Sequence, residues 1–398
     1  MKVSLLKKIV KFYRIFIAAP KEWHLPKNTE VLIYDGANVE ALMPYLTKYS
    51  VTTMAVRGEF LNMPCFLLAM LKLEFWKGKP LGAYADVFIK VVSPKMVITY
   101  VDNNSRFYEI SKCFPDIKTI CIQNGIRGES TDIFGSIEKR DSYYVDYMCV
   151  LGAAVGRQYK TFIPGSTLLF GSLKNNLIEK SNVASDDSIL FISQYREKKK
   201  DGTFYTDLRG VPIYHDKFFS AEAIALRFLA KWCVENNKFL KIAGCASQVR
   251  SRAERDFFEA MLVGGCGWEY VPKTEKYSTY KLIDTAGIVV SIDSTMGLES
   301  IVRGKKVAYF TCRGKAIQNS CNNFGWSAGL PSNGPFWTSD QDETQFQRVM
   351  DYLNTVSDED WKQTSQEYTS ELMEFDPGNT RFVALLDQIL PKPEVQLC

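Results

Sequence analysis

The 398-residue sequence has only two histidines, His24 and His215, and none of its 10 cysteines forms a Cys-x-x-Cys pair. Zinc sites of the common spacings draw on such residues, so no metal site is expected. The cysteines lie in apolar stretches such as 63–68 and 120–122, where they read as reduced core residues rather than a disulfide framework. An excess of one charge is also missing. With 49 basic and 45 acidic residues the formal charge is +4, too balanced for the concentrated basic face that nucleic acid demands. No apolar run reaches the length needed to cross a bilayer.

The opening stretch, 1–19, sets Lys7, Lys8, Lys11 and Arg14 among Leu, Ile and Phe at helical spacing. The basic residues break every apolar run too early for a signal peptide or a membrane span. Two readings stay open: an amphipathic helix on an anionic membrane surface, or a helix packed on the protein's own core. The expected location is cytoplasmic, with peripheral association at the inner face of the cytoplasmic membrane under the first reading.

A chain of this length exceeds what one hydrophobic core supports, so two domains are expected. Short apolar runs recur at 31–34, 51–56, 96–100, 119–123, 147–151 and 168–170. They recur again at 188–193, 239–243, 268–271, 288–292 and 306–310. Each leads through a loop into helical periodicity, the pattern of doubly wound parallel sheets. The polar stretch 174–187 reads as the linker. This divides the chain into a basic N-terminal segment (1–24), an acceptor domain (25–175), a donor domain (176–375) and a C-terminal segment (376–398). The abrupt end after 388 is compatible with a fragment of a longer chain. Ligands of paired α/β domains bind beyond the carboxyl ends of the strands, where the two domains face each other.

The strongest local signal is 287–310, which reads as strand, turn, helix, turn, strand. Asp293 and Ser294 form the turn, and Ser294 or Thr295 caps a helix whose free N–H groups attract a phosphate. Gly297 would let a ligand approach the backbone, and Glu299 would receive a ribose diol. Gln194, Tyr195 and Arg196 run out of another strand toward the same mouth, and Gly244 would admit a ligand at the end of the next. In the first domain Asp35, Glu59 and Asp102 end strands and are candidates for general base or nucleophile. Turn residues of these types more often only hold their loop. Asn38, Asn124, Gly125 and Arg127 are candidates for lining the substrate cleft. His215 and Lys217, in a polar loop, are candidates for catalysis and substrate contact, and His24 reads as structural.

The stretches VLIYDGAN, TICIQNGIRGE, FISQYR, IDSTMGLESIVRGKKVAYF and NFGWSAGLPSNGPFW resemble motifs of bacterial surface-carbohydrate biosynthesis proteins over residues 25–355. The resemblance implies the GT-B arrangement, two Rossmann-like domains facing across a cleft. It also implies that Asp293 to Glu299 hold the donor nucleotide while Asn124 and Gly125 line the cleft. A narrower resemblance is to transferases of the acidic sugar Kdo, which use CMP-Kdo in lipopolysaccharide and capsule assembly. Its carboxylate needs fixed cations, for which Arg196, Lys217, Lys273 and Arg313 are available. The expected function is transfer of a sugar from a nucleotide donor to a glycan or glycolipid acceptor, with no cofactor besides the donor. The alternatives are a nucleotide-sugar epimerase, a CDP-polyol phosphotransferase and a non-catalytic glycan-binding module.

Overall fold

The computed structural model describes residues 16–77, 79–127, 134, 140–181, 183–207, 210–262, 267–319 and 322–391. Segment 1–15, which carries most of the amphipathic reading, lies outside them.

The first domain is built on strands β1 (Val31–Tyr34), β2 (Val51–Met54), β3 (Met96–Thr99), β4 (Lys118–Ile122), β5 (Tyr147–Val150) and β6 (Ser166–Leu169). They form one parallel sheet in the order β2-β1-β3-β4-β5-β6. Every residue of β1 and β3 is buried, because side chains alternate between two covered faces. Leu32 and Val97 join a core with helices α1 (Met63–Met70) and α2 (Pro80–Val92). Val31, Ile33, Met96 and Ile98 enter a separate core on the opposite face. A further helix, α3 (Ala153–Phe162), follows β5.

The second sheet contains β7 (Ser188–Ile192), β8 (Phe239–Ala243), β9 (Trp268–Val271), β10 (Ile288–Ser291), β11 (Lys306–Phe310), β12 (Asn333–Gly334) and β13 (Trp337–Thr338). Their order is β9-β8-β7-β10-β11-β13-β12, parallel except for the last pair. The helices of this half are α4 (Ser220–Glu235), α5 (Ser251–Met261), α6 (Ser278–Thr285), α7 (Thr295–Val302), α8 (Arg313–Ile317), α9 (Glu343–Thr355) and α10 (Asp358–Thr369). The final helix, α11 (Thr380–Ile389), returns to the first domain, where Phe382, Leu385 and Leu386 cover the Val31 face of its sheet.

The chain therefore crosses between domains twice, and side-chain amides tie the crossings together. Asn176 donates to Phe170 O at 2.6 Å and to Asn379 Oδ1 at 3.0 Å, and it accepts from Asp376 N at 3.1 Å. Both Asn175 and Asn176 are buried, so part of the polar stretch that reads as a linker is interior scaffold. The architecture is α/β, with two Rossmann-like domains facing across a cleft.

Candidate functional site

Strand β10 ends in the turn Ile292–Asp293–Ser294, which opens α7. Ser294 is its N-cap, and Ser294 Oγ accepts from Met296 N at 3.3 Å. The turn faces the other domain. Ile126 N, in the loop after β4, donates to Thr295 Oγ1 at 3.2 Å, which brings Gly125 against the same threonine.

Beside this contact lies a cavity of about 320 Å³, lined from both domains. The first contributes Gln123, Ile126, Arg127, Leu151 and Val155. The second contributes Gln194, Asp293, Arg313, three asparagines (Asn319, Asn322, Asn323) and an aromatic set that includes Tyr205, Phe218, Phe324 and Trp326. Amide groups beside aromatic faces suit a hydroxyl-rich ligand, since amides pair with hydroxyls while rings cover the C–H faces.

Arg313, at the start of α8, organises the second-domain wall. Its side chain is 1% exposed and ion-pairs with both Asp293 and Glu222. It also donates to Gln194 Oε1 at 3.3 Å and to Phe218 O at 3.2 Å, and its guanidinium lies 4.1 Å from the Phe218 ring centroid. Asp293 accepts from Asn322 Nδ2 at 2.5 Å through its other oxygen. Burial pushes the Glu222 carboxyl up to about 7, with Asp293 adding to the rise and Arg313 opposing it. Glu222 Oε2 is buried and has no hydrogen-bond partner among the described residues.

On the first-domain wall Arg127 is held by Asp102, with Nε 3.1 and 3.0 Å from the two carboxylate oxygens. The Tyr159 hydroxyl, from α3, donates to Asp102 Oδ2 at 2.7 Å. Asp102 is fully buried, so its place is behind Arg127 rather than on the cavity surface.

Of the residues anticipated from sequence, the structure gathers Gln194, Asp293, Arg127 and Arg313 on the cavity wall, with Ser294, Thr295 and Gly125 next to it. It keeps others away. Asp35 is buried and receives Arg57 Nε at 2.8 Å, while Glu59 accepts from Arg57 N at 3.0 Å; both hold the loops beyond β1 and β2. His215 is buried among Phe204, Phe219 and Phe257, with Nε2 2.8 Å from Arg196 O, which makes it a clamp between two loop segments. Lys217 is exposed on the one-turn helix that follows. Tyr195 is buried on Phe257, and Arg196 turns back to Tyr195 O at 2.8 Å. Asn124, Lys273 and Asn38 are not among the lining residues; Asn38 instead accepts from Lys174 at 3.3 Å.

Three further expectations are corrected. A side chain at Gly297 would fall 2.3 Å from the Tyr309 hydroxyl, and one at Gly244 would fall 2.5 Å from the Tyr270 hydroxyl. Both glycines admit a tyrosine of the protein itself, not a ligand. Glu299 is buried, accepting from Ser172 Oγ at 2.5 Å and Tyr280 OH at 2.8 Å. Its carboxylate fastens α7 to the first crossing and to α6, and burial raises its pKa.

Sequence reasoning missed Glu222, Tyr159 and Asn322. It also missed Glu254, a fully buried carboxylate on α5 that accepts from Cys245 N at 3.0 Å and Ala246 N at 2.8 Å and so shapes the loop after β8. Among the described residues no cluster of three His, Cys, Asp or Glu side chains is placed to hold a metal ion.

Residues 120–390 match the family described as "putative O-antigen biosynthesis protein". The chain belongs to this family. No curated protein sequence matches it. Among solved structures it is similar to a glycosyltransferase from Rickettsia africae ESF-5, at 10% identity, TM-score 0.50, and coverage of 94% of this chain and 100% of that one. The S. aureus MnaA–UDP structure is 10% identical, with TM-score 0.52 and coverage of 90% and 96%. A UDP-GlcNAc 2-epimerase from Methanocaldococcus jannaschii, in complex with UDP-GlcNAc and UDP, is 7% identical, with TM-score 0.52 and coverage of 90% and 99%. At such identities the likeness is one of fold, and it identifies the two-domain GT-B architecture.

Proposed function

We propose that this member of the O-antigen biosynthesis family is a glycosyltransferase that moves a sugar from a nucleotide donor to a surface glycan, with CMP-Kdo as the preferred donor. The observation that carries the reading is the interlobe cavity, where amides from both domains and aromatic rings of the second surround Asp293 and Arg313 beside the capped start of α7. Donor nucleotide would place its phosphate toward Ser294 and Thr295, and its sugar against Asn322 and Trp326. Arg127 and Arg313, one from each domain, would receive the carboxylate of an acidic sugar. Asp293 is the one carboxylate among the described lining residues and is the candidate for activating the acceptor hydroxyl. The acceptor would be a glycan or glycolipid, so the enzyme would work at the cytoplasmic membrane surface.

Epimerases share the fold, and a UDP-sugar epimerase is the competing reading. It needs acids and bases at the cleft, whereas neither histidine is among the described residues of this cavity wall. Thermal-shift measurements with CMP, CDP and UDP, followed by product mass after incubation with CMP-Kdo and acceptor glycan, test the proposal. Stabilisation by CMP and a product heavier than the acceptor by one sugar are expected. Stabilisation by UDP alone, or isomerisation of UDP-GlcNAc without transfer, would refute it.

A further inference from the structure

From 60 to 71 the chain has no charged residue, yet much of this stretch forms a surface helix. Met63, Cys65, Phe66 and Ala69 of α1 face the core. Leu67, Leu68 and Leu71, spaced to share the opposite side, are exposed, Leu71 by 83%. Apolar exposure continues on the one-turn helix Leu73–Trp76, where Leu73 is 62% and Trp76 66% exposed on either side of a single exposed acid, Glu74, and at Leu81 in α2. A helix apolar on both sides is ordinarily buried, and scattered single exposures need no explanation, whereas a contiguous set does. Three lysines border this set: Lys72, Lys77 and Lys79. Among the described residues no carboxylate is ion-paired with any of them.

The patch is joined to the start of the chain. Phe16 packs on Phe66 of α1 at 5.2 Å between ring centroids, Phe66 on Phe75 at 5.6 Å, and Phe75 on Trp76 at 5.3 Å. Ile17, 71% exposed, follows directly. The sequence running into Phe16 carries Lys7, Lys8, Lys11 and Arg14.

We infer that the surface formed by α1, the turn Leu73–Trp76 and the start of α2 docks on an anionic lipid bilayer, with the leucines and Trp76 entering the interface and the lysines meeting lipid phosphates. Unpaired lysines around aliphatic residues and tryptophan match both components of such a surface, whereas a second copy of this chain would bring the same lysines together. Leucine and tryptophan supply the apolar contact, and basic residues supply attraction that weakens with salt. The inference does not depend on which donor occupies the cavity.

Co-sedimentation of the full chain with phosphatidylcholine vesicles, with and without phosphatidylglycerol, tests it. The wild type should bind when phosphatidylglycerol is present and be released by high salt. Leu67→Glu/Leu71→Glu/Leu73→Glu should remain in the supernatant while melting as the wild type does. Lys72→Ala/Lys77→Ala/Lys79→Ala should bind on the order of 100-fold more weakly, at about fivefold per basic residue. CMP-induced stabilisation should be unchanged in both variants, which separates failure here from failure of the donor assignment. The inference is overturned if the wild type ignores anionic vesicles or if the leucine variant binds them as the wild type does. It is equally overturned if sedimentation velocity shows a dimer that the leucine variant converts to monomer, because the patch is then an interface between copies.

Discussion

Asp102 Oδ2 accepts the Arg127 Nε at 3.0 Å and the Tyr159 hydroxyl at 2.7 Å, so one buried oxygen connects the cavity wall to helix α3. Asp102→Ala strands the arginine of a largely buried pair and should destabilise the protein by about 3 kcal/mol. Asp102→Leu combined with Arg127→Met removes both charges and should cost less than the single change. Urea denaturation of the two variants checks the order.

Glu222 predicts a pH dependence. Its carboxyl is raised to about 7 when folded, against an ordinary 4.5, so the folded state favours the protonated form. The resulting stability is fully present below pH 4.5 and is lost as pH rises toward and through about 7. Relative to Glu222→Gln, which cannot titrate, the wild type should lose on the order of 1–3 kcal/mol across that window. Melting curves at a series of pH values give the difference, and parallel curves would mean that Glu222 stays ionised throughout.

Gly297 separates a packing role from a ligand-binding one. Gly297→Ala drives a methyl into Tyr309 and should cost about 1–3 kcal/mol of stability. Tyr309→Leu in the same chain should recover part of that loss. A Gly297→Ala protein of unchanged melting temperature that no longer responds to CMP would instead place ligand against this backbone.

His215 should prove structural. Its ring touches Phe219 and bonds to Arg196 O, so His215→Asn should lower stability by about 1–2 kcal/mol. Its turnover should stay within about threefold of the wild type, whereas loss of a general base costs about 100-fold or more. Steady-state transfer rates measured beside urea titrations distinguish the two.

The parallel sheets were legible because strands covered on both faces read as continuous apolar runs, as at 31–34 and 288–291. Boundaries moved by one or two residues: the run at 51–56 is strand only over Val51–Met54, since pairing with β1 stops there. The turn at Asp293 was legible from its caps and its position at a strand end. The glycines were misread because the tyrosines that fill the space beside them, Tyr309 and Tyr270, come from neighbouring strands, and no local pattern reveals that. Asp35, Asp102 and Glu299 share an explanation. A carboxylate at a strand or helix end looks the same in sequence whether it faces a ligand or an arginine, serine or tyrosine of its own chain. Glu222 left a faint signal, a single acid in the first turn of the otherwise apolar start of α4, which also reads as ordinary helix chemistry.

The most direct test of the account is a crystal structure of the protein soaked with CMP. The phosphate is expected at the Ser294–Thr295 end of α7, with the rest of the nucleotide in the interlobe cavity within hydrogen-bonding reach of Asn322 or Gln194. Nucleotide bound on an outer face of either domain, with the cavity unchanged, would contradict it.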